Sequence, residues 1–79
     1  MDTITKIEPK YIIKSAIDLL TNHRAGQAKE DLLMALKTKS LDQHTPLGEA
    51  SMYAVNWIDN GDTFQAYMTL TKAWLMVMA

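Results

Sequence analysis

The chain has 79 residues, which is enough for one small domain. Eight lysine and arginine residues nearly balance nine aspartate and glutamate residues, which argues against a protein that coats nucleic acid, because such proteins carry a clear basic excess. A hydrophobic content of 48% argues against intrinsic disorder. The absence of cysteine excludes disulfides, thiolate metal sites and a cysteine nucleophile.

The first predicted helix runs from about Pro9 to Thr21, because apolar residues recur there at steps of three and four and Pro9 suits a first helical position. A break at 21–24 precedes a second predicted helix from Ala25 to about Lys39. Residues 40–46 form a polar linker, and Thr45 followed by Pro46 is typical of a helix N-cap and first position.

The third predicted helix ends at Asn60-Gly61, since glycine readily supplies the left-handed conformation of a helix C-terminus. Asp62 with Gln65 resembles a capping box that begins a fourth helix running to the C-terminus. We therefore expect one all-α domain over 1–79, with a first helical hairpin at about 9–39 and a second at about 46–79. The chain is expected to form a TPR-like (tetratricopeptide-repeat-like) pair of antiparallel hairpins or a small bundle.

An internal repeat supports this prediction. A shift of 38 residues superposes the two halves without a gap and aligns mostly small or large apolar residues. The aligned pairs include Ala16 with Ala54, Leu19 with Trp57, Ala28 with Ala66, Leu32 with Leu70, and Ala35 with Ala73.

The second half resembles a tetratricopeptide repeat in the spacing of its small and large apolar residues, which are Ala54, Trp57, Gly61, Ala66, Leu70 and Ala73. The first half keeps most of this pattern but has His23 in place of the turn glycine, and the period is 38 residues rather than 34. The resemblance implies antiparallel hairpins and, by analogy, a protein- or peptide-binding role.

The fourth predicted helix is apolar on most sides, and Lys72 is its single charged residue between positions 63 and 79. One apolar stripe, the expected contact with helix three, contains Ala66, Leu70, Ala73 and Val77. A second and larger stripe contains Phe64, Tyr67, Met68, Trp74, Leu75 and Met78, and we expect Met52 and Met68 to be core residues. Such a helix should be covered on most sides, by the first hairpin, a second copy or a partner protein.

Catalytic and metal-binding patterns are absent from the sequence. His23 and His44 are the only histidines, and neither has a second ligand at helical spacing; Glu30 and Asp31 are adjacent and cannot act as a paired acid and base. No glycine-rich phosphate loop occurs. We therefore expect a non-enzymatic protein without a metal or cofactor. It is expected to be cytoplasmic, because the sequence contains neither a signal-peptide pattern nor a membrane-length apolar run.

The favoured function is a protein-interaction module that acts as a small adaptor, chaperone or inhibitor, such as a phage or mobile-element protein that blocks a host factor. The surface residues expected to bind the partner, or a second copy in a homodimer, are Phe64, Tyr67, Trp74, Met76 and Met78. One alternative is a small DNA-binding regulator that uses helices one and two, where Lys6, Lys10 and Lys14 lie four residues apart. Another is a small-ligand binder with a pocket between Trp57 and Trp74.

Overall fold

The computed structural model describes residues 8–78, and within them the chain forms four α-helices. Helix α1 spans Pro9–Thr21, α2 spans Ala25–Lys37, α3 spans Pro46–Asp59 and α4 spans Thr63–Met78. The all-α prediction is confirmed. The second helix ends two residues before the predicted Lys39, which instead adopts a left-handed φ of 65°.

The helix starts follow from capping residues in the sequence. Pro9 and Pro46 each lie in the first turn of a helix, where the missing N–H leaves no hydrogen bond broken. The Thr45 hydroxyl accepts a hydrogen bond from the Gly48 N–H at 3.2 Å. The Asp62 carboxylate accepts one from the Gln65 N–H at 3.1 Å, so both N-caps are present. The second bond of a capping box is not formed, because the Asp62 N–H donates to the Trp57 carbonyl.

The two hairpin turns have the same hydrogen bonds. After α1, the Arg24 N–H donates to the Leu19 carbonyl and the His23 N–H to the Leu20 carbonyl, which is a Schellman motif. After α3, the bonds from Asp62 to Trp57 and from Gly61 to Ile58 repeat this pattern 38 residues later. The residue in the left-handed position is His23 in the first turn, at φ 62°, and Gly61 in the second, at φ 79°.

The two hairpins close into a four-helix bundle. Besides the contacts within each hairpin, α2 packs against α3 and α1 packs against α4. These two contacts are exchanged when the two halves are swapped by the 38-residue shift, and a smaller contact joins α1 to α3. One hydrophobic core connects all four helices, and its fully buried members include Ile13, Ala16, Ala28, Leu32, Ala54, Ala66 and Leu70.

The linker folds against the start of α3. Leu41, which lies in a polar stretch of the sequence, is 1% exposed and joins the core, and its N–H donates to the Ala35 carbonyl. The Thr45 side chain donates to the Asp42 carbonyl. Gly48 lies against this turn so closely that an added Cβ would overlap the Asp42 carbonyl group and lie 2.9 Å from the Gln43 Cα. Glycine is therefore required at position 48 by a close backbone approach.

Candidate functional site

The inner side of α4 completes the core. Ala66 and Leu70 are fully buried, and Tyr67, Ala73 and Trp74 are half-buried and pack against the core. Val77, which was expected in the contact with α3, is instead 44% exposed near the end of the helix. The first three turns of α4 therefore pack against the core on this side, and the C-terminal end does not.

The opposite side of α4 carries a line of apolar residues in water, which we call the outer stripe. Its members follow one another at steps of 4, 3, 4 and 3 residues and are Phe64, Met68, Thr71, Leu75 and Met78. Phe64 is 66% exposed, and Met68, Leu75 and Met78 are exposed by between 38% and 55%. Thr71 is half-buried, and its Oγ1 has no hydrogen-bond partner among the described residues.

The predicted docking residues fall in three places on α4. Phe64 and Met78 lie on the outer stripe and are exposed. Tyr67 and Trp74 are half-buried along one edge of the stripe, so part of each ring is already in contact with the core. Met76 is the most exposed of the five at 73%, but it lies roughly 120° around the helix from the stripe.

Two methionines expected in the core are at the surface. Met68 and Met52 are both exposed, so the expectation that they fill the core was wrong. The reason is their position on the helices: Ala54 and Ala66 occupy the contact sides of α3 and α4, and Met52 and Met68 lie about 160° around the helix from them. Tyr53 of α3 is likewise 56% exposed.

The outer stripe differs from the matching surface of the first hairpin. Burial along α2 and α4 agrees closely under the 38-residue shift: Ala28 matches Ala66, Leu32 matches Leu70 and Leu36 matches Trp74. At the positions that match Phe64, Met68, Thr71 and Leu75, helix α2 has Gly26, Glu30, Leu33 and Lys37, all exposed. The same surface of the same fold therefore carries two charged residues in α2 and none in α4.

This comparison identifies two residues that the sequence analysis left out of the docking set. Met68 and Leu75 lie at the middle of the outer stripe and are more accessible than Tyr67 and Trp74. Their matches, Glu30 and Lys37, are charged, and a 38-residue alignment of the two halves was the signal that could have selected them. Tyr67 and Trp74 were predicted instead because large aromatic residues often dominate the energetics of interfaces.

Three lysines of α1 and α2 lie next to carboxylates in the described residues. Lys14 pairs with Asp18 at 2.9 Å, and Lys29 forms an ion pair with Asp59 that connects α2 to α3. Lys10 lies 3.8 Å from Glu8 and over the ring of Tyr11, whereas Lys6 is outside the described residues. The line of lysines on α1 is therefore accompanied by carboxylates.

A cavity of about 380 Å³ lies at the end of α2, away from both tryptophans. It is lined by Leu36, Lys39, Leu41, Asp42, Gln43 and His44. The ligand pocket expected between Trp57 and Trp74 does not coincide with it. Residues 8–78 contain no group of three or more histidine, aspartate or glutamate side chains that could hold a metal ion.

Within the described part of the chain, no helix is long and apolar enough to cross a membrane. Comparison with protein-family models, with curated proteins and with solved structures finds no match. The candidate site is therefore defined by the geometry of α4 and by its contrast with α2.

Proposed function

We propose that the protein is a non-enzymatic protein-interaction module and that the outer stripe of α4 is its docking surface. Tyr67 and Trp74 form one edge of this surface, and Phe64, Met68, Leu75 and Met78 supply its exposed apolar area. The observation that carries the proposal is the contrast with α2, in which Glu30 and Lys37 occupy the positions of Met68 and Leu75. Because α2 folds with charged, exposed residues at these places, folding does not require apolar ones in α4.

The energetics support the same proposal. The exposed part of an apolar side chain contributes no hydrophobic free energy to folding. Covering 100 Å² of such surface on binding contributes about 2.5 kcal/mol. Large apolar residues concentrated on one helix face mark interaction sites on soluble proteins more often than residues scattered singly do. The resemblance of the second hairpin to a tetratricopeptide repeat agrees with this role by analogy.

The proposal is tested by photo-cross-linking with p-benzoylphenylalanine at matched positions. The reactive residue is placed at Phe64 on the outer stripe or at its match in α2, Gly26. An added Cβ at Gly26 meets no atom within 4 Å and Phe64 is 66% exposed, so both positions are open to water. Each protein is irradiated in an extract of its source cells, and the adducts are separated by mass.

We expect adducts from position 64 and few from position 26. The substitutions Met68→Glu and Leu75→Glu, made in the protein carrying the cross-linker at 64, should remove these adducts. Leu33→Glu with Met34→Glu is the matched control, since both residues are exposed on α2 and their replacement should leave the adducts unchanged. Equal labelling from 64 and 26, or labelling from neither, would contradict the proposal.

A further inference from the structure

The outer stripe has the spacing of a coiled-coil seam. Its steps of 4, 3, 4 and 3 residues keep the stripe on one side of α4 over two heptads, which is the pattern by which one helix packs along another. We propose that the occupant of this stripe is a second copy of the chain, paired through α4 in antiparallel orientation. The inference rests on the proposed function and names the partner.

Four of the five residues of the stripe oppose one another in one antiparallel register. With the two-fold axis between positions 69 and 70, Phe64 opposes Leu75 of the second copy and Met68 opposes Thr71 of the second copy. Each contact then occurs twice, as a two-fold interface requires. In this register Met78 extends past the start of the opposing α4. A shift of one heptad toward the C-terminus would instead leave Phe64 unopposed, and Phe64 is the more exposed of the two residues.

The residues beside the stripe favour the same register. On one edge, Tyr67 approaches Trp74 of the second copy, so the exposed parts of both half-buried rings are covered. On the other edge, Lys72 approaches Gln65 of the second copy, which is neutral. In the register shifted by one heptad, Lys72 would instead meet Lys72 of the second copy, and this repulsion disfavours it. Antiparallel pairing also aligns the two helix dipoles favourably.

The area available suits a dimer that dissociates at micromolar concentrations. The exposed parts of Phe64, Met68, Leu75 and Met78 amount to about 400 Å² per chain, taking side-chain areas of roughly 200 Å². Without Met78, which lies past the opposing helix, two stripes together with their edges bury about 600–900 Å², which is the size of weak and transient interfaces. We therefore expect a reversible dimer.

Sedimentation equilibrium of the purified chain from about 1 to 100 µM tests this inference. The average mass should rise from 8.9 kDa toward twice that value as the concentration increases. The pair Met68→Glu and Leu75→Glu should remain monomeric, and Met76→Glu, on the same helix but outside the stripe, should behave as the unmodified chain. Circular dichroism checks that helicity is kept, and Met68→Gln with Leu75→Gln serves if the glutamates unfold the chain.

The orientation is tested with single cysteines, since the chain has none of its own. An equimolar mixture of Phe64→Cys and Leu75→Cys proteins, oxidised at high concentration, should form the mixed disulfide in excess over either symmetric one. An excess of the symmetric products would overturn the antiparallel register.

A monomer at all concentrations, or a dimer unaffected by the two glutamates, would overturn pairing through the stripe. In the first case, adducts between position 64 and a different protein would leave the proposed function standing, so the two failures are distinguishable.

Discussion

The two hairpins share one frame, meaning the same turns and the same buried positions, but they expose different side chains to water. Both turns have the same hydrogen bonds, and the buried alanine and leucine positions match 38 residues apart. The outer surface of α2 carries Glu30 and Lys37, whereas the matching surface of α4 carries Met68 and Leu75. The first hairpin therefore acts as an internal reference for the second: a residue type found only in α4 is not required by the frame.

The two hairpins also differ at a matching half-buried position, which is Lys29 in α2 and Tyr67 in α4. Lys29 of α2 forms an ion pair with Asp59 of α3, and the position matching Lys29 in α4 is Tyr67, which packs against the core. An aromatic ring thus replaces an ion pair at the equivalent half-buried place. An exposed ion pair contributes only about 0–1 kcal/mol to stability. The Tyr67 ring instead adds buried apolar area to the second hairpin.

The largest expected effect tests whether the two cores are equivalent. Leu32 and Leu70 are both fully buried at matching positions. Each leucine-to-alanine substitution should therefore lower the free energy of unfolding by about 2–5 kcal/mol, because it removes buried methyl groups and leaves a cavity. Urea unfolding followed by circular dichroism measures both losses. A loss at Leu70 far below that at Leu32 would break the equivalence of the hairpins.

The second effect concerns two glycines, of which Gly48 lies against neighbouring backbone and Gly26 does not. Gly48→Ala should destabilise by about 1–3 kcal/mol, because the added Cβ overlaps the Asp42 backbone and either the linker or α3 must move. Gly26→Ala is the control, since it meets no atom within 4 Å and should stabilise by about 0.5–1 kcal/mol through helix propensity. The two substitutions have opposite signs in the same unfolding experiment, and equal signs would contradict this account.

Helix positions were predictable because their signals are local. Pro9, the Thr45-Pro46 pair and Gly61 act within one turn, and the structure places each in its expected role. The burial of Leu41 was not predictable in this way, because its neighbours in sequence are polar and its contacts come from packing of the linker against the bundle. Local patterns specify where helices start and stop but not how a linker packs.

The candidate site was predictable in part. The apolar excess of α4 is visible in the sequence, and Phe64, Met76 and Met78 are exposed. Which side of the helix remains uncovered depends on how closely α1 approaches α4, and helical spacing alone does not contain that distance. For this reason Met68 was expected inside, and Trp74, expected as a surface anchor, has part of its ring packed against the core.

The third effect concerns the middle of the outer stripe. Thr71 has a buried Oγ1 without a hydrogen-bond partner among the described residues, whereas its match in α2 is the apolar Leu33. Thr71→Val keeps the shape of the side chain and removes the unpaired hydroxyl, so it should stabilise the fold by about 1 kcal/mol. Thermal unfolding measures the gain. Thr69→Val is the control, because the Thr69 hydroxyl donates to the Gln65 carbonyl at 2.7 Å and no comparable gain is expected.

The smallest effect compares the two turns directly. His23 and Gly61 occupy the same left-handed position, but only glycine adopts it without steric cost. His23→Gly should therefore stabilise by about 0.5 kcal/mol, because the relief of strain exceeds the entropy that glycine adds to the unfolded chain. Gly61→His should destabilise by a similar amount, and the double exchange should leave the stability nearly unchanged. If the two turns are independent, the change in stability of the double variant equals the sum of the two single changes. A large departure from that sum would show that the hairpins are coupled through their ends.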